Sequence, residues 1–137
     1  MKVLFTGGGT AGHINPALAV AGYLRKKEPD TEILYVGNRG GLEERLVAKA
    51  GYPMQTITIS GFQRRITPKN LMRNAQTVVR MFTASSEAHR IIKEFAPDVC
   101  VGTGGYVSGP VIREAARLHI PCVIHESNAY PGVTTRM

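Results

Sequence analysis

The feature that most constrains the fold is the opening stretch, in which an apolar run breaks into three consecutive glycines before a helical segment. Residues 2–6 are typical of a short strand buried on both faces of a parallel sheet. Asn15-Pro16 predicts the cap and first-turn proline of a helix that continues to about Lys27. A glycine turn between strand and helix exposes backbone N–H groups near the positive end of the helix dipole. The stretch therefore predicts a site for phosphate or diphosphate.

The rest of the chain alternates strands with helices. Apolar runs predict further strands at 32–37, 54–59, 98–102 and 122–125, and helical patterns predict helices at 41–50, 69–95 and 110–119. This alternation indicates an α/β protein with a parallel sheet and right-handed crossovers. Residues 60–68 are predicted to form a basic loop, and residues 127–137 a loop with no packed end of its own.

The charge and composition limit the classes of partner. The 137 residues suit one domain, and the formal net charge of +7 favours anionic partners such as nucleic acid, acidic lipid headgroups or phosphorylated substrates. Few aromatic residues lie near the charges and no nucleic-acid module is recognised, so we expect no nucleic-acid partner. Neither a membrane span nor a signal peptide is indicated, so we expect a cytoplasmic protein.

Segment 69–95 carries two apolar stripes on nearly opposite helix faces. One comprises Leu71, Met72, Ala75, Val79 and Phe82, and the other Met81, Ala84, Ala88, Ile91, Ile92 and Phe95. Segment 60–95 also has seven basic against two acidic residues, which gives five of the seven net charges. Either two helices each pack on the core, or one stripe meets something outside the domain, such as an acidic membrane surface.

Gly7, Gly9 and Gly12 satisfy the dinucleotide-binding fingerprint, but the rest of that motif is missing. The second strand ends without the acidic residue that binds a ribose hydroxyl; its Asn38-Arg39 ending at best suits a phosphorylated ribose. His13 stands where a Walker loop would continue to lysine. An NADPH-binding oxidoreductase domain therefore stays an alternative, and so does a tight turn with no ligand.

Two later loops follow predicted strands and complete the candidate site. The first, residues 102–110, repeats the order of strand, glycines and a helix with proline in its first turn. It carries Tyr106 and Ser108, whose hydroxyl groups either line the rim of the site or cap the loop. The carboxyl ends of parallel strands line one crevice, so both glycine loops could hold one diphosphate. The other loop brings His125 and Glu126, so that His13 would act as general base beside an orienting carboxylate. No metal-ligand spacing or nucleophile elbow is found.

Residues 7–17, 102–110 and 125–132 together resemble the MurG family of peptidoglycan glycosyltransferases. The resemblance implies a Rossmann-like doubly wound parallel sheet, the amino-terminal half of a GT-B fold. It implies transfer of N-acetylglucosamine from UDP-N-acetylglucosamine to lipid I, the undecaprenyl-diphosphate-linked muramyl pentapeptide, to form lipid II. Residues 1–137 would be the acceptor-binding domain, truncated before the donor-binding domain and inactive as an inverting transferase alone.

The resemblance also assigns residues, without cofactor or metal. The catalytic residues would be His13 and Glu126. Substrate-binding residues would be Gly8, Gly9, Thr10, Ala11, Gly12, Gly104, Gly105, Tyr106, Ser108, His125 and Asn128. Thr10, Ala11, Gly12 and Asn128 would lie near the donor, although many relatives have glycine at position 11.

Peripheral attachment to the cytoplasmic face of the membrane is implied as well. Its nearest candidates are Val79 and Phe82 with Arg64, Arg65 and Lys69. A stand-alone anchoring subunit of a split two-subunit glycosyltransferase is the alternative.

Overall fold

A five-stranded parallel sheet forms the centre of the protein. The computed structural model describes residues 1–59 and 83–136. The strands are β1 (Lys2–Thr6), β2 (Glu32–Asn38), β3 (Met54–Ile57), β4 (Val99–Gly102) and β5 (Cys122–Ile124), in the spatial order β3-β2-β1-β4-β5. Every neighbouring pair is parallel. The predicted Rossmann-like α/β fold is confirmed.

Helices cover both faces of the sheet. They are α1 (Ala11–Lys27), α2 (Leu42–Ala50), α3 (residues 83–95), α4 (Ser108–Arg117) and the short α5 (Val133–Arg136). Gly51 ends α2 in the left-handed conformation, directly after the predicted helix 41–50. Residues 60–82 lie outside the described residues, so the predicted basic loop and the first apolar stripe of 69–95 stay predictions.

The predicted start of α1 was wrong. The helix begins at Ala11, and Pro16 lies inside it, in the second turn. Thr10 is the N-cap residue without a side-chain capping bond, and its carbonyl accepts the first hydrogen bonds of the helix, from the N–H groups of His13 and Ile14 at 3.1 and 3.2 Å. Since this cap uses no side chain, Asn15-Pro16 was misread as the helix start.

The carboxyl-terminal residues are not only a loop. The predicted loop 127–137 contains α5, whose entry is held by a side chain from outside the helix. The Gly132 N–H and the Thr135 hydroxyl both donate to the Glu126 carboxylate. The remaining boundaries differ by one or two residues from those predicted; β3, for example, ends at Ile57.

The sheet is packed on both faces by buried apolar residues. One cluster joins β1 and β2 to α1 and α2, with Phe5, Ala21 and Val47 at its centre. The other packs α3 and α4 against the opposite face and includes Ile91 and Val111. The second predicted stripe of 69–95 therefore faces the core through its described members. Within residues 1–59 and 83–136, no helix is long and apolar enough to cross a membrane.

Replacing Ile91 by alanine should lower the free energy of unfolding by about 2–5 kcal/mol, because it leaves a cavity in the fully buried core. Val20→Ala is the control, since Val20 is 49% exposed on α1 and its truncation should change stability by less than about 0.5 kcal/mol. Urea denaturation followed by circular dichroism measures both. Equal losses would contradict the packing of α3.

Candidate functional site

The two glycine loops meet at the carboxyl edge of the sheet, between β1 and β4. These strands are neighbours in space although about ninety residues separate them in the sequence, and Thr6 lies opposite Gly102 in their register. The chain builds β2 and β3 on one side of β1 before it returns to β4 on the other. This is the switch point at which open α/β sheets form a ligand crevice.

The backbone of the first loop, residues 7–10, is held by two hydrogen bonds, one from β2 and one to the second glycine loop. The buried Tyr35 hydroxyl donates to the Gly7 carbonyl at 2.7 Å. The Gly8 N–H donates to the Gly104 carbonyl at 3.2 Å, which joins the two glycine loops directly. Burial, and then the charge of Glu43, raises the pKa of Tyr35, so this phenol stays a donor. The Gly8 N–H, which was predicted to bind substrate, is thus used in a hydrogen bond between the two loops.

The outer part of the first loop faces solvent. Gly9, Thr10, Ala11 and Gly12 are all exposed. Thr10 is the N-cap residue of α1, yet its hydroxyl makes no capping hydrogen bond. First-turn N–H groups, here those of Ala11 and Gly12, have no acceptor within the helix. The predicted anion donors therefore remain available at the positive end of α1.

The second loop, residues 103–107, fixes both the backbone and the ring of His13. The Thr103 hydroxyl donates to the His13 carbonyl at 2.6 Å. The Thr103 carbonyl lies 3.1 Å from Nδ1 of His13. Because a carbonyl can only accept, Nδ1 carries the proton and Nε2 of the neutral ring keeps its lone pair. His13 is thereby set up as a base through Nε2.

Glycine is required where the second loop touches the first. Gly104 has a φ of +103°, and a Cβ there would lie 2.7 Å from Nδ1 of His13. Gly105 has a φ of +83°, and a Cβ there would strike the Gly8 carbonyl. Both loops come this close only because neither residue carries a side chain.

The two hydroxyl groups predicted for this loop have different surroundings. Tyr106 is 60% exposed at the rim. Ser108 is buried, and its hydroxyl donates to the Gly105 carbonyl at 3.0 Å. Ser108 therefore caps its own loop, which was one of the two roles considered for it, while Tyr106 remains accessible to a ligand.

A buried carboxylate from α2 lies beneath the first loop. Glu43 is fully buried, and its Oε1 accepts a hydrogen bond from the Asn38 N–H at 3.1 Å. A Cβ at Gly8 or Gly41 would overlap this carboxylate. Glu43 is packed under the loop and away from solvent, so it does not replace the ribose-binding acid that is missing from the end of β2.

The third loop follows β5 and is organised around Glu126. The His125 N–H donates to the Gly102 carbonyl at 2.8 Å, which ties this loop to the end of β4. Glu126 accepts hydrogen bonds from Asn128, Gly132 and Thr135. These bonds, the one from the Thr135 hydroxyl first, lower the pKa of Glu126 to about 2. The group that orients His13 is the Thr103 carbonyl; the expected pairing with Glu126 is not how the ring is held.

Sequence reasoning identified His13 and both glycine loops but missed the residues that support them. Thr103 lies inside the second glycine motif, where its hydroxyl was a usable signal. Tyr35 lies in the predicted strand 32–37 and Glu43 in the predicted helix 41–50, and neither pattern signals a contact with the first loop. Among the described residues, no three His, Cys, Asp or Glu side chains come together as a metal site. Ligand contacts of the predicted residues stay predictions.

Comparison with known proteins identifies the family. The model of the glycosyltransferase family 28 N-terminal domain matches residues 3–137. The chain belongs to this family. The family 28 chain is 52% identical over 136 residues to the UDP-N-acetylglucosamine–N-acetylmuramyl-(pentapeptide) pyrophosphoryl-undecaprenol N-acetylglucosamine transferase of Lactococcus lactis subsp. lactis. It is 49% identical over 137 residues to the protein of the same name from Acetivibrio thermocellus. It spans 37% and 36% of these relatives' lengths.

Solved structures agree with this assignment. The crystal structure of Acinetobacter baumannii MurG matches 98% of the family 28 chain with a TM-score of 0.81 and 31% identity, over 37% of that protein. The calicheamicin glycosyltransferase CalG4 matches 96% of the chain with a TM-score of 0.67 but only 19% identity, which supports the fold alone. The resemblance to MurG is confirmed.

Gly104→Ala and Gly9→Ala form a matched pair of substitutions at positive φ. Gly9 has a φ of +82° and open space around it, so alanine should cost only about 1–2 kcal/mol of backbone strain. Gly104→Ala should cost more, because the new Cβ also displaces the imidazole. Urea denaturation measures stability, and NMR signals of the His13 ring should move in Gly104→Ala alone. Unmoved ring signals in Gly104→Ala would contradict the packing described.

Proposed function

We propose that this chain is the acceptor-side domain of an inverting N-acetylglucosaminyltransferase of peptidoglycan synthesis. The whole enzyme would transfer N-acetylglucosamine from UDP-N-acetylglucosamine to lipid I and so form lipid II. The observation that carries this proposal is the pair of hydrogen bonds between Thr103 and His13, one to the His13 carbonyl and one to Nδ1. They leave Nε2 of His13 as a base at the point where both glycine loops meet. The close identity to the transferases named above gives the reaction class.

The proposed chemistry is one direct displacement at the anomeric carbon. Nε2 of His13 takes the proton of the acceptor hydroxyl as that oxygen attacks the anomeric carbon, and the bond to the UDP oxygen breaks. The exposed amides of Ala11 and Gly12 provide donors for a diphosphate at the helix N-terminus. Most contacts with the UDP leaving group would come from a donor-binding domain beyond these residues.

We also propose peripheral attachment to the cytoplasmic face of the membrane. Support comes from the sequence of 60–95, whose basic excess lies beside an apolar stripe. Such a surface is attracted to anionic headgroups while apolar side chains enter the interface. A membrane-bound acceptor lipid would then be presented to the crevice without leaving the bilayer.

His13→Ala in the full-length transferase should lower the turnover rate by about 10²–10⁴-fold, because the general base is lost. His119→Asn is the matched control. His119 is exposed after α4 with a φ of 58°, a conformation that asparagine tolerates. Transfer of labelled N-acetylglucosamine to a lipid I analogue measures both. Wild-type turnover in His13→Ala would refute His13 as the base.

The combined substitution of Arg64, Arg65 and Lys69 by glutamine should weaken binding to anionic vesicles by about two orders of magnitude, at about 1 kcal/mol for each charge. Removing the same charge from Arg25, Lys26 and Lys27, in the last turn of α1, is the matched control. Cosedimentation with phosphatidylglycerol vesicles, and with neutral vesicles for comparison, measures binding. Equal losses in both triple variants would contradict a localised membrane surface.

A further inference from the structure

Glu126 occupies an unusual position for a catalytic carboxylate, because both of its oxygens are engaged within its own segment. Oε1 accepts from the backbone N–H and the side-chain Nδ2 of Asn128, at 3.0 and 2.7 Å. Oε2 accepts from the Gly132 N–H and the Thr135 hydroxyl, at 2.8 and 2.6 Å. One side chain thus accepts from donors spread over the eight residues from Asn128 to Thr135.

These bonds fix the direction of the Asn128 amide. A carboxylate oxygen only accepts, so the atom that faces Glu126 must be the nitrogen Nδ2, and the amide oxygen Oδ1 points away from it. Asn128 is exposed, so its Oδ1 is presented to solvent as an acceptor. A sugar hydroxyl or acetamido N–H is the kind of group that such an oxygen binds.

The same carboxylate holds α5 beside the second glycine loop. Thr135, whose hydroxyl bonds to Oε2, lines a small cavity together with Gly102, Gly104, Ser108, Ile112 and Ile124. The far side of this cavity is therefore the loop that clamps His13. The other titratable or charged side chains on or next to this segment are His125, Tyr130 and Arg136, and Nε of Arg136 donates to the Pro131 carbonyl.

We propose that Glu126 is a positioning residue. It folds residues 126–136 into one unit that directs Asn128 Oδ1 toward the bound donor sugar and seats α5 against the second glycine loop. The donor contact rests on the proposed function, whereas the folding of the segment does not. Thr135, which carries no assigned role, becomes part of the site through this carboxylate.

The first test uses NMR on the chain itself. A glutamate with its ordinary pKa of 4.5 titrates near pH 4.5, whereas Glu126, at about 2, should keep a constant carboxyl ¹³C shift down to pH 3.5. Since the folded pKa is depressed, the ordering is fully present above pH 4.5 and is lost as pH falls toward 2. Thr135→Val should raise the titration midpoint, and Thr135→Ser should restore it. Titration of wild-type Glu126 near pH 4.5 would overturn the proposal.

The second test uses a double-mutant cycle in the full-length transferase. Glu126→Gln and Asn128→Ala should each raise the KM for UDP-N-acetylglucosamine by about tenfold, as expected for one lost hydrogen bond. The double variant should be no worse than either single one, because both remove the same interaction. The pH dependence of kcat should not change in Glu126→Gln. Additive losses would show that the two residues act independently and would overturn the positioning role, and loss of a limb of the pH profile would make Glu126 a catalytic acid or base.

The two tests separate the possible failures. If the full-length protein neither binds nor uses UDP-N-acetylglucosamine, the proposed function fails, while the NMR result still decides whether Glu126 organises residues 126–136. If transfer occurs and the carboxyl titrates normally, the positioning role fails alone.

Discussion

The site depends on the mutual hydrogen bonds between Thr103 and His13. The Thr103 hydroxyl holds the backbone of the first turn of α1, and the Thr103 carbonyl holds the imidazole. A ring that is fixed at Nδ1 has one free nitrogen and one direction, which is what a general base needs. Other features, including the bare glycines at 104 and 105, keep the two loops close enough for these bonds.

The sheet order explains why such bonds can exist. β1 and β4 pair directly, although the chain builds β2 and β3 between them in sequence. Their carboxyl ends therefore bring together two loops that no local interaction would join. The buried side chains of Tyr35 and Glu43 fill the space beneath the first glycine loop. The strand order thus determines where the crevice lies, and the buried side chains support its loops.

Much of this architecture could be predicted from the sequence, because buried parallel strands appear as apolar runs and glycines mark the turns. The errors concern helix starts, which the local sequence pattern did not mark. The start of α1 at Ala11 uses no side-chain cap from Thr10, and the entry of α5 is held by Glu126, six residues before Gly132. Glu43 was overlooked because nothing in the sequence indicates that the first turn of α2 packs beneath the first loop.

The link between the Gly8 N–H and the Gly104 carbonyl has a consequence for variation and redesign. Neither partner is a side chain, so ordinary substitutions leave the donor and the acceptor in place and can disturb them only by bulk or strain. Proline at position 8 is the exception, because it removes the N–H itself. The spacing of the two loops at this point is therefore set by the backbone, and a change in loop length would alter it more directly than an exchange of polar side chains.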